Sequence, residues 1–184
     1  MVVFFGSCNS QTQNADGCNV HYKNAKSSLN SYYRSENKDL LGCALEEVEL
    51  YSKCFGKTQK SVELKISLLS LLKEYKKAFE YVNSLKDSDF KCTYKREMNS
   101  NYFLASLSGS KSDTVNRNEY LNKSVLSVQR YIDNSKFSGI KNNQKAFYDL
   151  FNMKSLILSK QTLVKEIEDL KGPYPNDIEF LDIA

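Results

Sequence analysis

Residues 41–51 read LGCALEEVELY, and residues 75–85 read YKKAFEYVNSL. Both stretches place apolar or small residues three and four positions apart. Leu41 corresponds to Tyr75, and Ala44 corresponds to Ala78, so the offset between the stretches is 34 residues. Residues three and four apart share one face of an α-helix. The two stretches therefore predict two amphipathic helices whose apolar faces follow one pattern.

Similar helical periodicity extends over most of the chain. The only prolines are Pro173 and Pro175, so no proline interrupts a helix before them. No stretch shows the sustained apolar–polar alternation that is typical of strands. The predicted fold class is all-α, with a short capping helix in the tail at 177–184. The predicted helices lie at 22–34, 38–55, 58–73, 75–87, 94–108, 114–134, 142–159 and 161–171.

Residues 72–79, LKEYKKAF, resemble the turn and the second-helix opening of a tetratricopeptide repeat, a helix–turn–helix unit of about 34 residues. Ala78 stands where that family uses a small residue so that two helices approach closely. The resemblance covers residues 40–90. It implies antiparallel helical hairpins stacked as a short tetratricopeptide-like solenoid, and it implies that the chain binds another protein.

The same resemblance implies a binding surface on the helix at 58–73. In the family, the first helix of each unit lines a concave groove. Carried over position by position, Lys60, Glu63, Ser67 and Ser70 are expected to face the protein partner. The alternative is that these four residues form only the solvated polar face of their helix.

Residues 5–8, FGSC, resemble the lipobox of bacterial lipoproteins, in which small residues precede the cysteine that carries lipid. The resemblance implies lipidation of Cys8 and attachment to a membrane. The predicted organisation is a remnant of a lipoprotein signal at 1–8, a polar tether at 9–20 and a single repeat-like domain at 21–184. A basic segment and a long apolar run are missing, so we expect a longer reading frame. The alternative is an apolar N-terminus with an unrelated cysteine.

The cysteines indicate a compartment. Apart from Cys8, four remain, and an even number suits two disulfides in an oxidising compartment. Four reduced thiols in a cytosolic protein are the alternative. Cys43 and Cys54 are eleven residues apart on one predicted helix, or roughly 16 Å. That exceeds the Cα separation of about 7 Å that a disulfide tolerates.

The repeat resemblance implies a Cys54–Cys92 disulfide. Cys54 ends one helix and Cys92 follows the end of the equivalent helix one repeat later, and such ends are neighbours in a stacked array. Cys18 and Cys43 remain as a second pair by elimination, although one helix separates them along its length.

The sequence shows no recognisable catalytic or metal-binding motif. His21 is the only histidine, and we expect it at the solvated surface. There is no C-x-x-C pair, phosphate-binding glycine loop or G-x-S-x-G motif. The expectation is a chain that is not an enzyme and needs no cofactor or metal. An enzyme that uses paired carboxylates, such as Glu46 and Glu49, is the alternative from another class.

The charge pattern gives little support for nucleic-acid binding. The net charge is only +4, and a nucleic-acid-binding domain usually carries a sharper basic patch. Residues 91–96, KCTYKR, mix basic and aromatic side chains and are predicted to form a solvated loop between helices. Contact with an acidic partner or with lipid headgroups is the alternative for this segment.

These patterns together predict a non-catalytic protein-binding lipoprotein or scaffold of the bacterial cell envelope. The expected location is the periplasm or the outer membrane, with another protein as the partner and contact with the membrane through lipidated Cys8. The alternative is an immunity protein that neutralises a toxin delivered by a competing cell.

Overall fold

The computed structural model describes residues 15–135, 140 and 143–182, and these residues are overwhelmingly helical. No strand occurs among them, so the predicted all-α class is confirmed. Short 3-10 turns at Asp87–Asp89 and Pro175–Asp177 separate some of the helices. The α-helices are α1 (Ala15–Ser35), α2 (Asp39–Phe55), α3 (Gln59–Leu71), α4 (Tyr75–Asn83), α5 (Tyr94–Ser110), α6 (Thr114–Asn134), α7 (Gln144–Ser155), α8 (Lys160–Leu170) and α9 (Ile178–Leu181).

The chain divides into two compact units, Met1–Leu72 and Lys73–Ala184, where the sequence predicts one domain over 21–184. The boundary lies in the turn between α3 and α4, inside the segment that resembles a tetratricopeptide repeat. Lys73 adopts a φ of 59°, in the left-handed region that a non-glycine residue seldom occupies. A short turn with this geometry follows the end of α3.

The first unit is built on the antiparallel pair α1 and α2. Its core combines small and branched side chains from α1, α2 and α3: Ala25, Leu29, Leu41, Ala44, Val48, Leu64 and Leu68. Gly56, with a φ of 72° and a ψ of −165°, ends α2 in a backbone conformation that is open mainly to glycine. Thr58 then caps α3, because its side chain accepts a hydrogen bond from the Ser61 backbone NH at 3.2 Å.

The predicted tether at 9–20 is wrong from residue 15 onward, because α1 already begins at Ala15. Residues 9–14 lie outside the described residues. Cys18, Ala25 and Leu29 are buried, and these positions share a face of one continuous helix. Contact of this face with α2 stabilises two helical turns that the polar composition of the segment does not predict.

The second unit contains the antiparallel pair α5 and α6, with α4 packed against α5 and α7 against α6. Ser124 on α6 is fully buried, and its hydroxyl donates to the Met98 carbonyl of α5 at 2.8 Å. Ala78 on α4 is fully buried as predicted. Asp113 is the N-cap of α6, and its carboxylate accepts from the Asn116 backbone NH at 3.1 Å.

The main core of the second unit lies where α5, α6, α7, α8 and α9 meet. Its buried residues are Tyr94, Met98, Val128, Ile132, Ile140, Ala146, Phe147, Leu150, Phe151, Ile167, Phe180 and Leu181. The tail is joined to this core by Asp177, whose carboxylate accepts from the Ile140 backbone NH at 2.9 Å. Among the helices that the structure describes, none has the length and apolarity needed to cross a membrane.

Candidate functional site

A groove opens in the second unit between the start of α5 and the end of α6, and we call it the α5–α6 groove. Its volume is about 440 Å³, which is within the range of small-ligand and side-chain binding sites. The described residues that line it combine two aromatic rings, one ion pair and several small polar groups: Thr93, Tyr94, Glu97, Ser127, Arg130, Tyr131, Asn134 and Ser135.

Helical spacing places these side chains on two facing surfaces. Tyr94 and Glu97 are three residues apart on α5, and Ser127, Arg130 and Asn134 follow the corresponding spacing on α6. Because the two helices are antiparallel, the first turns of α5 lie beside the last turns of α6. The groove is therefore a product of helix pairing between distant segments.

The segment 91–96 differs from the solvated loop that the sequence predicts. Residues from Tyr94 onward belong to α5, and Tyr94 and Lys95 are both buried. The sequence does not reveal the burial of Tyr94 and Lys95, because charged and apolar positions follow no regular spacing in this segment. Burial of Lys95 depends on a partner carboxylate that arrives from α7.

Two tyrosine rings form the inner wall of the groove. The ring centroids of Tyr94 and Tyr131 are 4.7 Å apart, with the planes tilted by 50°. Aromatic pairs at this distance contribute about 0.5–1.5 kcal/mol beyond the area that they bury. The pair therefore fixes the shape of the wall and limits the motion of both rings.

A buried ion pair supports this wall from behind. The Tyr94 hydroxyl donates to Asp149 Oδ2 on α7 at 2.5 Å, and Lys95 Nζ lies 2.5 Å from the same oxygen. Both charged side chains are largely shielded, with 10% of Lys95 and 17% of Asp149 exposed. Charges this deep in a protein persist only when they are paired, so α5 and α7 are held in one register.

This environment suppresses ionisation of the groove tyrosines. Burial, reinforced by the hydrogen bond to Asp149, raises the pKa of the Tyr94 phenol far above its ordinary value. Burial also raises the pKa of Tyr131, with a further contribution from the neighbouring Cys92 thiol. Both hydroxyl groups therefore remain neutral at physiological pH and can act as hydrogen-bonding groups.

The outer rim carries a solvent-exposed ion pair. Arg130 Nη2 lies 3.0 Å from Glu97 Oε1, and Arg130 Nε donates to the Leu126 carbonyl at 3.2 Å. The two side chains are 62% and 51% exposed, so their attraction contributes about 1 kcal/mol or less. A partner can displace this pair at little cost, which makes the guanidinium and the carboxylate available for new contacts.

The hydroxyl of Ser127 has a structural partner inside the groove wall. It donates to the Ser124 carbonyl at 2.7 Å, within α6. Among the described lining residues, neither a histidine nor a cysteine stands beside this hydroxyl to activate it as a nucleophile. What the groove offers is two tyrosines and an arginine, residue types that are enriched at protein–protein interfaces, beside several small polar groups.

The predicted partner-binding residues belong to the first unit, whereas the α5–α6 groove belongs to the second. Lys60, Glu63, Ser67 and Ser70 share one face of α3, with Lys60 and Ser67 exposed and the other two half-buried. The Ser67 hydroxyl donates to the Glu63 carbonyl within the helix at 3.0 Å. Their role in binding stays a prediction.

The disulfide of the structure joins Cys18 to Cys54, with Cα atoms 6.0 Å apart. The predicted Cys54–Cys92 and Cys18–Cys43 pairs are therefore wrong. The physical reason is the early start of α1, because antiparallel packing brings its first turns beside the end of α2. Rings of Tyr22 and Tyr51, 5.3 Å apart, mark the same junction. Cys43 is an exposed thiol and Cys92 a half-buried one. The predicted lipidation site, Cys8, lies outside the described residues.

His21 is half-buried in the α1–α2 interface, whereas the sequence predicts a solvated position. Its Nδ1 lies 2.6 Å from Glu47 Oε2 on α2, and Asn24 Nδ2 donates to the other oxygen of Glu47 at 3.2 Å. Over the part of the chain that the structure describes, no group of three or more histidine, cysteine and carboxylate side chains has the arrangement of a metal site.

Comparison of the chain with protein-family models, with curated proteins and with solved structures finds no match. A functional assignment therefore depends on the geometry and chemistry of its own residues.

Proposed function

We propose that this chain is a non-catalytic protein-binding protein of the bacterial cell envelope, held at a membrane by lipid on Cys8. The partner is another protein, which binds the α5–α6 groove of the second unit. A separate proposed binding surface, on α3 of the first unit, consists of Lys60, Glu63, Ser67 and Ser70. We also propose that the helices form antiparallel hairpins that stack as a short tetratricopeptide-like solenoid. The 34-residue offset and the α1–α2 and α5–α6 hairpins support it.

The observation that carries the binding role is the composition of the α5–α6 groove. Tyr94 and Tyr131 offer a preformed aromatic wall, and Arg130 offers an exposed guanidinium beside it. Tyrosine and arginine are the residue types that most often dominate the energetics of interfaces. Because the wall is supported by the buried Lys95–Asp149 pair, binding orders few additional side chains and loses little conformational entropy.

The Cys18–Cys54 disulfide supports the envelope location. Such bonds persist in the periplasm and outside the cell and are rare in the reducing cytosol. The lipobox-like residues 5–8 point in the same direction, since lipidation at Cys8 takes place on exported proteins.

The test is site-specific photo-crosslinking in the organism that makes the protein. A photoreactive p-benzoylphenylalanine replaces Asn134 at the groove, and in the matched control it replaces Lys123, which is exposed on the same helix. We expect an adduct with one envelope protein from position 134 that is absent at position 123. In the protein that carries the photoreactive residue at position 134, the additional substitution Arg130→Ala should weaken the adduct several-fold, because it removes the guanidinium at the rim.

Each outcome of this experiment bears on the proposal. Equal adducts at both positions, or an adduct that Arg130→Ala leaves unchanged, would show that the groove is not the binding site. No adduct from either position would oppose protein binding by this unit. A secreted toxin as the crosslinked protein would replace the scaffold role with immunity.

A further inference from the structure

A second recess lies in the same unit, on the side of α6 that faces α7 and α8, and we call it the α6–α8 pocket. Its volume is about 270 Å³. The described residues that line it have an apolar floor and a charged rim: Gln129, Ile132, Asp133, Phe147, Leu150, Phe151, Lys154, Glu166, Asp169, Leu170 and Tyr174. Among the described lining residues, the α6–α8 pocket and the α5–α6 groove have none in common.

The floor suits one compact apolar group. Ile132, Phe147, Leu150 and Phe151 are buried core residues, and Tyr174 meets Phe147 edge to face at 5.8 Å. A cavity of about 150 Å³ lined by such side chains is enough to hold benzene. The α6–α8 pocket therefore has room for one aromatic ring or short alkyl chain with a polar extension, and not for a long peptide.

The rim is acidic. Asp133, Glu166 and Asp169 carry three negative charges against the single positive charge of Lys154, a net charge of −2. Lys154 Nζ lies 2.5 Å from Glu166 Oε2, so those two charges offset each other. Asp133 accepts a hydrogen bond from the neutral amide of Gln129 at 2.8 Å, which leaves its charge in place. The uncompensated charges of the rim are therefore those of Asp133 and Asp169.

We propose that the α6–α8 pocket binds a small organic amine, an aromatic ring or short alkyl chain that carries an ammonium group. The ring occupies the apolar floor, and the ammonium group lies at the rim beside Asp133 and Asp169. An anion of the same shape loses the attraction and is repelled by the same carboxylates. The site is separate from the protein-binding groove and adds a ligand to the function proposed above.

The test compares two ligands that differ mainly in the sign of their charge. Phenethylamine and 3-phenylpropionate each join a phenyl ring to a charged group through two methylenes. Binding to the full chain is followed by ¹H–¹⁵N correlation spectra at neutral pH. We expect phenethylamine to shift the amide signals of Phe147, Leu150 and Phe151, and 3-phenylpropionate to shift them much less at equal concentration.

Two variants assign the selectivity to the rim. Asp133→Asn with Asp169→Asn removes both uncompensated charges while keeping the size of the side chains. Each exposed carboxylate typically changes affinity by about two- to five-fold, so the double variant should weaken phenethylamine binding by about five- to twenty-fold. Glu119→Gln is the control, because Glu119 is an exposed carboxylate on α6, 14 residues before Asp133, about 21 Å away along the helix.

Equal shifts from the amine and the carboxylate would overturn the proposal, as would shifts located outside the α6–α8 pocket or no shift from either compound. Unchanged amine binding in the double variant would overturn the role of the rim. Circular dichroism of each variant checks that its helices are intact. With intact helices, a loss of binding reports on the pocket. None of these results depends on the crosslinking outcome at position 134.

Discussion

Asp149 on α7 and Tyr94 on α5 are 55 residues apart in sequence, and the Tyr94 hydroxyl donates to the Asp149 carboxylate at 2.5 Å. The same carboxylate oxygen lies 2.5 Å from the buried ammonium group of Lys95. This contact joins the wall of the α5–α6 groove to the core of the second unit. Stability and groove geometry should therefore respond together when it is removed.

We expect Asp149→Ala to lower the free energy of unfolding by about 3–5 kcal/mol, because it leaves the Lys95 charge buried without a partner. Asp149→Asn should cost less, since the amide oxygen still accepts from Tyr94. Urea denaturation followed by circular dichroism measures both changes. Glu119→Ala is the control, because its pair with Lys123 is exposed and should contribute about 1 kcal/mol or less. Equal loss from Asp149→Ala and Glu119→Ala would contradict the assignment.

The raised pKa of Tyr94 predicts a dependence of stability on alkaline pH. The folded state favours the neutral phenol, so its contribution is fully present below the unfolded pKa of about 10. Above that pH the unfolded state loses this proton first, and the free energy of unfolding should fall by up to about 1.4 kcal/mol per pH unit. Tyr94→Phe should make this slope shallower by up to about 1.4 kcal/mol per pH unit, the contribution of one proton.

Absorbance near 295 nm provides a direct check on the same phenol. In the folded protein at a pH just above 10, Tyr94→Phe should leave the tyrosinate signal unchanged, because Tyr94 is still protonated. After unfolding in urea at the same pH, the variant should lack the signal of one tyrosinate. A difference already present in the folded proteins would show that Tyr94 ionises normally.

Ala78 is fully buried on α4, which packs against α5, so a larger side chain must displace neighbouring atoms. We expect Ala78→Leu to destabilise the protein by about 1–3 kcal/mol through overpacking. Lys76→Leu on the exposed side of the same helix is the control and should change stability by about 0.5 kcal/mol or less. Thermal unfolding of the two variants compares them, and equal melting temperatures would mean that α4 packs differently.

Peptide mapping without reductant should recover the Cys18 and Cys54 peptides joined. The cysteines are 36 residues apart, and the chain-entropy model gives about 3–4 kcal/mol for closing a loop of that length. Cys18→Ser with Cys54→Ser should therefore lower stability by up to that amount. Cys43→Ser removes an exposed thiol and should have little effect. Recovery of a Cys54–Cys92 peptide would refute the observed pairing.

Lipidation of Cys8 remains a prediction from residues 5–8. With a complete signal sequence in front of the chain, labelled palmitate should enter the wild-type protein and not Cys8→Ser. Cys43→Ser serves as the control, because Cys43 is an exposed thiol among the described residues. Absence of label from the wild type would remove the main support for membrane attachment.

Local patterns predicted most of the helices and their ends. Gly56 acts through its own backbone conformation, and Asp113 acts through a hydrogen bond to a residue three positions later. Termination of α2 and capping of α6 therefore follow from the sequence alone. The candidate binding surface is different. Tyr94 and Tyr131 come from separate helices, and neither has a local signature that distinguishes it from other aromatic residues on amphipathic helices.

The sequence by itself determined the helical class and the burial of Ala78, because apolar spacing and the absence of early proline act along one segment at a time. Only the tertiary structure decided that Cys18 bonds to Cys54 and that Asp149 pairs with Lys95. Both contacts join residues far apart in the chain, and the side chains of either partner are compatible with many other pairings. Antiparallel packing of particular helices selects one of them, since burying an unpaired charge or a misaligned helix face costs several kcal/mol, roughly the size of the whole stability of a domain.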